Sequence, residues 1–240
     1  MWQSAKGILL KRIPYAENRF ILKIFTENEG VLSFSIRPDT KSGKGKNRSV
    51  LGQPLSIIEF EFVGKAHSDI HTARNIHLDY PFSLIPHDFY RQSIVMFMNE
   101  LILQTIKLPL SDNKIYCFLK DSLLLLDNAN VNIGNFPLWF IIQLSSSLGI
   151  GPVFSEKMKD DIFDLVTGNF VKSDAIPGVH LSTEMSEILN VFICSGFPPK
   201  ENFLHKDRQF LLNFMLDYLS FHADFKTDFK SVQILNAIFK

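Results

Sequence analysis

The spacing of apolar residues changes once along this chain, and the change divides it into two kinds of structure. Before Pro81, apolar and polar residues alternate over short segments, most regularly in Ile58-Glu59-Phe60-Glu61-Phe62. Alternation with a period of two is typical of a strand that has one buried face. After Pro86 the period becomes about 3.6, which is the repeat of an amphipathic helix. The sequence therefore predicts an α+β protein, with the strands first and the helices after them.

Five strand-like segments fall within the first 80 residues. They are rich in Ile, Leu, Val and Phe, and turn residues such as Glu27-Asn28-Glu29-Gly30 separate them. A long polar segment lies between the third and the fourth. Five short strands with one long loop suit a closed barrel of the OB type, so we predict an OB-fold domain over residues 1–80. An SH3-like barrel is the structural alternative.

The rest of the chain, residues 81–240, is predicted to form an all-helical domain. One run, FPLWFIIQLSSSL, is apolar on nearly every side, which is typical of a helix in the middle of a bundle. Residues 149–180 contain several glycines and prolines and have mixed polarity, so we expect an irregular excursion there. The predicted helices cover residues 87–108, 113–127, 136–148, 181–194, 201–221 and 229–239.

Charge is balanced over the whole chain but not along it. The 25 Lys and Arg residues match 25 Asp and Glu residues, which excludes a globally basic nucleic-acid-binding protein. The first 80 residues carry 12 cations and 8 anions, whereas residues 81–200 carry 8 cations and 12 anions. We therefore expect the N-terminal domain to meet any polyanion, and the helical domain to suit contacts with other proteins.

Cysteine usage and hydropathy indicate a cytoplasmic binding protein. Cys117 and Cys194 lie far apart in apolar runs, so the sequence indicates neither a disulfide framework nor a thiolate zinc site. No segment approaches the roughly 18 apolar residues of a membrane span, and no signal-peptide pattern is present. We expect a soluble, unprocessed protein. No nucleophile, base or metal-ligand set has a catalytic spacing, so we expect no catalytic residue, metal or cofactor, and no enzyme.

A basic loop, RPDTKSGKGKNRS at residues 37–49, holds five cations and one carboxylate between two hydrophobic runs. It does not fit a nucleotide-binding P-loop, because Gly43 and Gly45 are one residue apart and a strand-like segment follows. Two interpretations stay open: an ordinary surface loop, or a loop whose cations each neutralise a nucleic-acid phosphate. The cations of the second interpretation include Lys41, Lys44, Lys46 and Arg48.

Three segments carry a family resemblance. The opening KGILLKRIPYAENRFILKIFTENEGVLSF contains a Gly-Ile-Leu-Leu-Lys start and a Phe-Thr-x-x-x-Gly turn. LGQPLSIIEFEF introduces alternating residues with a Pro-Leu pair, and FLLNFMLDYLSFHADFKTDFKSVQILNAIF forms the end of the chain. In this order the segments resemble the RecO family of bacterial recombination mediators, and the likeness covers nearly the whole chain.

The chain departs from the family pattern in one place. Many RecO members carry two Cys-x-x-Cys pairs after the third helix, whereas LGIGPVFSEKMKDDIFDLVTGNFV contains no cysteine. It keeps the Leu148-Gly149 and Pro152 positions that introduce the region. We therefore predict that the excursion holds no zinc finger.

The resemblance implies a non-enzymatic, nucleoid-associated DNA repair mediator. Such a protein binds single- and double-stranded DNA, anneals complementary strands, and works with RecR and the single-stranded-DNA-binding protein to load recombinase at gaps. The resemblance also implies a pocket in the helical domain for the acidic, Phe-ended tail of the single-strand binder. That pocket requires an apolar hole for the ring beside a cation for the terminal carboxylate.

On this interpretation, DNA contacts lie on the barrel and its basic loop. Lys11 and Arg12 are neighbours on the first strand, so they point to opposite faces and only one can line a single groove. Tyr15 is the favoured base-stacking ring because it lies at a turn, and Trp2, Phe20, Phe25 and Phe34 are further candidates. The predicted contacts are Lys11, Arg12, Arg37, Lys41, Lys44, Lys46 and Arg48, with Tyr15, Arg19 and Lys23 in second rank.

Two other functions remain open from the sequence. A protein-binding adaptor with an OB-like barrel would bind DNA weakly or not at all, and without salt dependence. An enzyme whose active site assembles from scattered residues would show turnover.

Overall fold

The structure is a computed structural model that describes residues 1–17, 19–37, 52–64, 69–106, 113–154, 161–172, 179–223 and 229–238. The chain divides into two units, one formed by Met1–His87 with Ile106–Asp127 and the other by Asp88–Thr105 with Asn128–Lys240. The domain boundary placed at residue 80 from the sequence stays a prediction.

Five strands form a closed barrel in the first unit. They are β1 (Gln3–Ala16), β2 (Arg19–Thr26), β3 (Gly30–Ile36), β4 (Ile57–Val63) and β5 (Ile70–Leu78). The strand order is β1-β2-β3-β5-β4, and β1 closes the barrel by pairing with β4. Only β3 and β5 are parallel. This is the OB arrangement, so the predicted barrel and the α+β fold class are confirmed, and the SH3-like alternative is set aside.

Alternate residues of the strands fill the barrel. Ile58, Phe60 and Phe62 are buried while Glu59 and Glu61 lie on the outside, as the alternation predicts. Phe34 enters from β3 and packs edge-on against Phe60, with ring centroids 4.9 Å apart. The buried rings and branched side chains remove a large apolar area from water, which is the main stabilisation of such a barrel.

Strand β1 is long and irregular, and pairs with both of its neighbours. Its pairing with β2 shifts by one residue between Leu9 and Lys11, and again between Pro14 and Ala16. Each shift is a β-bulge, which bends the strand and re-aims the side chains that follow it. Gly7 is required here because a Cβ at this position would collide with the Ile24 side chain.

Six α-helices follow the barrel in the described part of the chain: α1 (Phe89–Thr105), α2 (Asn113–Leu126), α3 (Phe136–Ser147), α4 (Thr183–Cys194), α5 (His205–Ala223) and α6 (Lys230–Ile238). Their order matches the prediction. The largest difference is at the start of α5, which begins at residue 205 rather than 201.

Helix α2 belongs to the barrel unit. Its Tyr116 ring lies 6.2 Å from the ring of Phe25 on β2, centroid to centroid, and both residues are buried. Just after the helix, the buried Asp127 carboxylate accepts the backbone N–H groups of Ser83, Leu84 and Ile85 at 2.8 to 2.9 Å. This carboxylate fixes the segment that leaves β5.

In the second unit, α3 is the central helix. Nine of its residues are buried, among them Trp139 and Phe140, as its nearly uniform apolar character predicts. It contacts α1, α4 and α5. Helix α6 begins where the Glu100 carboxylate of α1 accepts the backbone N–H groups of Lys230 and Ser231, so an anion caps the positive end of this short helix.

A two-stranded hairpin lies within the predicted excursion. It pairs β6 (Asp161–Asp164) with β7 (Asn169–Lys172). Phe163 is fully buried against the rings of Phe214 and Tyr218 on α5, and its backbone N–H donates to the hydroxyl of Ser186 on α4. The sequence did not predict this hairpin, because its four-residue strands owe their stability to contacts with distant helices.

Candidate nucleic-acid interface

The outer surface across β1, β4 and β5 has its charges paired. Lys6 donates to Asp79 at 2.7 Å and Arg74 to Glu61 at 2.7 Å. The hydrogen bond and charge of Asp79 raise the pKa of Lys6, and hydrogen bonds from Asn75 and Arg74 lower the pKa of Glu61. This neutral surface gives a polyanion no excess of positive charge.

The outer surface across β1, β2 and β3 is different, because two lysines face each other on it. Lys11 lies directly opposite Lys23, and Lys23 lies opposite Ser33. Both lysines are exposed, and they point outward because Leu22 and Ile24, on either side of Lys23, belong to the barrel core. Like charges directly opposite on adjacent strands are destabilising. Such a pair is therefore costly unless an anion binds it.

Two arginines extend this basic surface toward the end of the barrel. Arg19 starts β2, and Arg37 follows Ile36, which pairs with Phe20, so Arg37 leaves β3 beside Arg19. Among the residues that the structure describes, Lys11, Lys23, Arg19 and Arg37 form no ion pair. We call the surface formed by these four residues the basic strand surface.

Arg12 and Tyr15 lie next to the basic strand surface but not on the same face as Lys11. Arg12 pairs with Leu22, whose side chain points into the barrel, so Arg12 lies on the inner face of the sheet. Lys11 lies on the outer face, as expected for its neighbour on the strand. The Arg12 guanidinium carbon lies 3.8 Å from the centroid of the Phe20 ring. Tyr15 falls at the second bulge of β1 and is 59% exposed. The structure thus places Tyr15 within β1 rather than at a turn, although its side chain is accessible, and base stacking by Tyr15 stays a prediction.

The other end of the same outer surface is covered. Phe25 points outward two residues after Lys23, and Tyr116 of α2 lies over it. Burial raises the pKa of Tyr116, which keeps its hydroxyl neutral. The outer surface of β1–β2–β3 is therefore apolar and covered at one end, and basic and open at the other.

The four loop cations predicted to contact phosphate, Lys41, Lys44, Lys46 and Arg48, lie outside the described residues. Of the other predicted contacts, Lys11, Lys23, Arg19 and Arg37 come together on one surface, while Arg12 and Tyr15 border it. From the sequence alone, Lys23 and Arg19 are candidates of second rank. Their place beside Lys11 depends on the register between β1 and β2, which a single strand segment does not show.

An open depression in the second unit combines a mostly apolar lining with one arginine. Its lining includes Pro137 and Leu138 of α3, Arg208 and Leu212 of α5, and Leu235 of α6. The Arg208 guanidinium donates to the side-chain oxygen of Asn135 at 3.3 Å, and burial lowers the pKa of Arg208. We call this depression the Arg208 pocket. Sequence periodicity does not locate it, because its walls come from three separate helices.

None of the described residues forms a group of three or more His, Cys, Asp or Glu side chains suited to a metal ion. No helix in that part of the chain is both long and apolar enough to cross a membrane.

Comparison with known proteins identifies the family. The model described as "Recombination protein O N terminal" matches residues 1–82, and "Recombination protein O C terminal" matches residues 86–224. The chain belongs to the RecO family. The first match covers the barrel strands, and the second covers α1 to α5 and the β6–β7 hairpin.

Curated RecO proteins resemble the chain over three quarters or more of its length. The DNA repair protein RecO of Phocaeicola vulgatus is 28% identical over 241 residues, covering 100% of both chains. That of Flavobacterium johnsoniae is 30% identical over 247 residues, covering 98% of both. That of Bacteroides fragilis is 30% identical over 182 residues, covering 76% of this chain and 74% of its own. The chain is thus a member of a family of DNA repair proteins.

Proposed function

We propose that this RecO family member is a non-enzymatic DNA repair mediator of the bacterial cytoplasm, associated with the nucleoid. It binds single- and double-stranded DNA through the basic strand surface. The single observation that carries the proposal is the exposed Lys11–Lys23 pair, which lacks a carboxylate partner among the described residues. OB folds commonly bind oligonucleotides on the face of strands 2 and 3. Lys23 lies on β2, and its partner Lys11 lies on the adjacent strand β1.

The basic strand surface suits contact with phosphates rather than recognition of sequence. Lysine and arginine side chains neutralise backbone phosphates and position a strand without reading its bases. A surface that binds phosphates in this way lowers the repulsion between two DNA strands held close together, which supports the annealing of complementary strands. Loading of recombinase onto gaps would then require protein partners in addition.

We further propose that the Arg208 pocket binds the C-terminal tail of the single-stranded-DNA-binding protein, and that RecR is the second protein partner. Arg208 would pair with the terminal carboxylate, because its guanidinium presents several donors and Asn135 already orients it. The terminal aromatic ring would lie against Leu138, Leu212 and Leu235, which line the depression.

The DNA-binding proposal is tested by the salt dependence of binding to a fluorescent single strand. Each phosphate contact contributes about −0.7 to the slope of log K against log salt for single strands. Replacing both lysines (Lys11→Gln with Lys23→Gln) should make the slope shallower by about 1.4 and weaken binding at low salt. The matched control is Arg74→Gln on the neutral surface, which should leave the slope unchanged because Arg74 already pairs with Glu61.

The adaptor alternative predicts the opposite results. The DNA-binding proposal is wrong, and the adaptor is favoured, if the native protein does not bind DNA at low salt. The same conclusion follows if the lysine double variant has the salt slope of the native protein. The tail proposal has its own test, in which a peptide ending in acidic residues and Phe binds the native protein, while its C-terminal amide and the Arg208→Gln variant bind at least tenfold more weakly. Equal binding of the acid and the amide would contradict it.

A further inference from the structure

The aromatic ring of Phe20 lies next to the basic strand surface, and an arginine covers it. Pro14 is opposite Phe20 and Arg12 is opposite Leu22, so Arg12 and Phe20 are diagonal neighbours on one face of the sheet. The Arg12 guanidinium carbon lies 3.8 Å from the Phe20 ring centroid. Phe20 is only partly buried against the barrel core, whereas Arg12 is exposed. The guanidinium therefore stands between this ring and the solvent.

We infer that Phe20 is a stacking platform for one unpaired nucleobase and that Arg12 is its movable cover, an inference that rests on the DNA-binding function proposed above. A planar guanidinium on a phenyl ring occupies the place that a planar base would take. Arg12 has no ion pair among the described residues, so its displacement breaks only the contact with the ring. Once displaced, its charge pairs with the phosphate next to the stacked base.

The surroundings of Phe20 suit a base whose backbone is already held. Arg19 precedes Phe20 on β2, and Arg37 follows the residue that pairs with it. Phe20 points to the opposite face of the sheet from Arg19, so a strand held by Arg19 and Arg37 would turn over the end of the barrel to bring a base to the ring. Duplex DNA keeps its bases stacked inside, so this platform distinguishes single strands from duplexes while the cations serve both.

A second arginine-on-ring contact in the same barrel provides the contrast. Arg74 lies over the Trp2 ring, with its guanidinium carbon 3.9 Å from the centroid. Glu61 holds Arg74 at 2.7 Å, and the surrounding surface has its charges paired. The Trp2 ring therefore lacks both a movable cover and a basic path for a strand, and Trp2→Leu is the matched control.

The experiment compares binding of an oligothymidylate with binding of an abasic oligomer of equal length, which has the same phosphates and no bases. The native protein should bind the oligothymidylate more tightly. Phe20→Leu should weaken that binding on the order of tenfold, with no change in salt slope, in abasic binding or in duplex binding. Phe20→Tyr should restore the preference, and Trp2→Leu should keep it. Arg12→Gln should keep the preference while the salt slope becomes shallower by about 0.7.

The possible failures are distinguishable. If the native protein binds neither probe at low salt, the proposed function is wrong and the inference falls with it. If it binds both probes equally, DNA binding stands and the stacking platform is refuted. The stacking platform is also refuted if Phe20→Leu keeps the full preference for the oligothymidylate. It is refuted as well if the variant weakens binding of both oligomers equally, because that result indicates a change in the fold, which a thermal unfolding curve would also show.

Discussion

If the Lys11–Lys23 pair serves to bind DNA, removing the repulsion between the two lysines should stabilise the free protein. The perturbation is Lys23→Glu, which turns two facing cations into a facing ion pair. With the charged ends roughly 6 Å apart in water, each interaction is worth about 0.7 kcal/mol, repulsive before and attractive after. The change should therefore stabilise the free protein by about 1 kcal/mol at low salt. For a chain of this size that raises the Tm by roughly 2–4 °C.

The assay is thermal unfolding at low salt and at high salt, with DNA binding measured on the same samples. At about 1 M salt the Debye length falls to about 3 Å, so most of the gain should disappear. The matched control is Lys172→Glu, since Lys172 faces Asp161 across the β6–β7 hairpin and the same substitution there creates a like-charge pair. That variant should lower the Tm at low salt.

A Lys23→Glu variant that loses DNA binding without any gain in Tm at low salt would contradict this expectation. It would mean that the two ammonium groups lie far apart in the free protein, so that their repulsion does not destabilise the fold. A gain that persists at high salt would also count against an electrostatic cause, and would point to a better fit of the new side chain to the strand.

Three further changes test the fold around the candidate sites. Asp127→Ala leaves three backbone N–H groups without their acceptor, among them the buried one of Ile85, and should lower the free energy of unfolding by roughly 1–3 kcal/mol in urea titrations, whereas exposed Asp121→Asn should have no effect. Gly168 has a φ of +68° and a Cβ there would lie 2.7 Å from the Tyr218 hydroxyl oxygen, so Gly168→Ala should cost roughly 1–2 kcal/mol, measured in the same way. Burial raises the pKa of Asp164, but hydrogen bonds from the turn after β6 outweigh it and leave the pKa below its ordinary value. Asp164 therefore stabilises the fold above the pKa of the unfolded chain, and this stability is lost as the pH falls through the lowered pKa; Asp164→Asn should flatten the acid side of a Tm-against-pH curve.

The sequence predicted those parts of the structure that depend on local periodicity. The alternation of Ile58, Phe60 and Phe62 placed these residues inside the barrel, and the apolar run 136–148 gave the central helix α3. The β6–β7 hairpin was not predictable in this way, because its short strands are stabilised by contacts with distant helices. The Arg208 pocket was not predictable either, because three separate helices form its walls. Pairing between strands likewise decided that Lys23 belongs with Lys11.

The first bulge of β1 explains why strand periodicity alone misplaces the residues that we propose contact DNA. Counting in twos from the buried Leu9 would turn Lys11 inward and Arg12 outward. The extra residue at the bulge buries Leu10 as well as Leu9 and reverses the count, so that Lys11 points outward toward Lys23 and Arg12 turns to the face of Leu22.

This reversal makes two adjacent residues of equal charge behave differently. Lys11→Gln should raise the Tm at low salt by roughly 1–2 °C, which is half of the rise expected for Lys23→Glu. It removes the repulsion between the two lysines but adds no attraction in its place. Arg12→Gln should lower the Tm slightly, because it removes a cation–π contact worth roughly 0.5–1 kcal/mol at an exposed site and relieves no repulsion. Both should make the salt slope of DNA binding shallower. Paired thermal unfolding curves decide the matter: equal shifts for the two variants would mean that the bulge does not separate their faces, and the basic strand surface would lose its central pair.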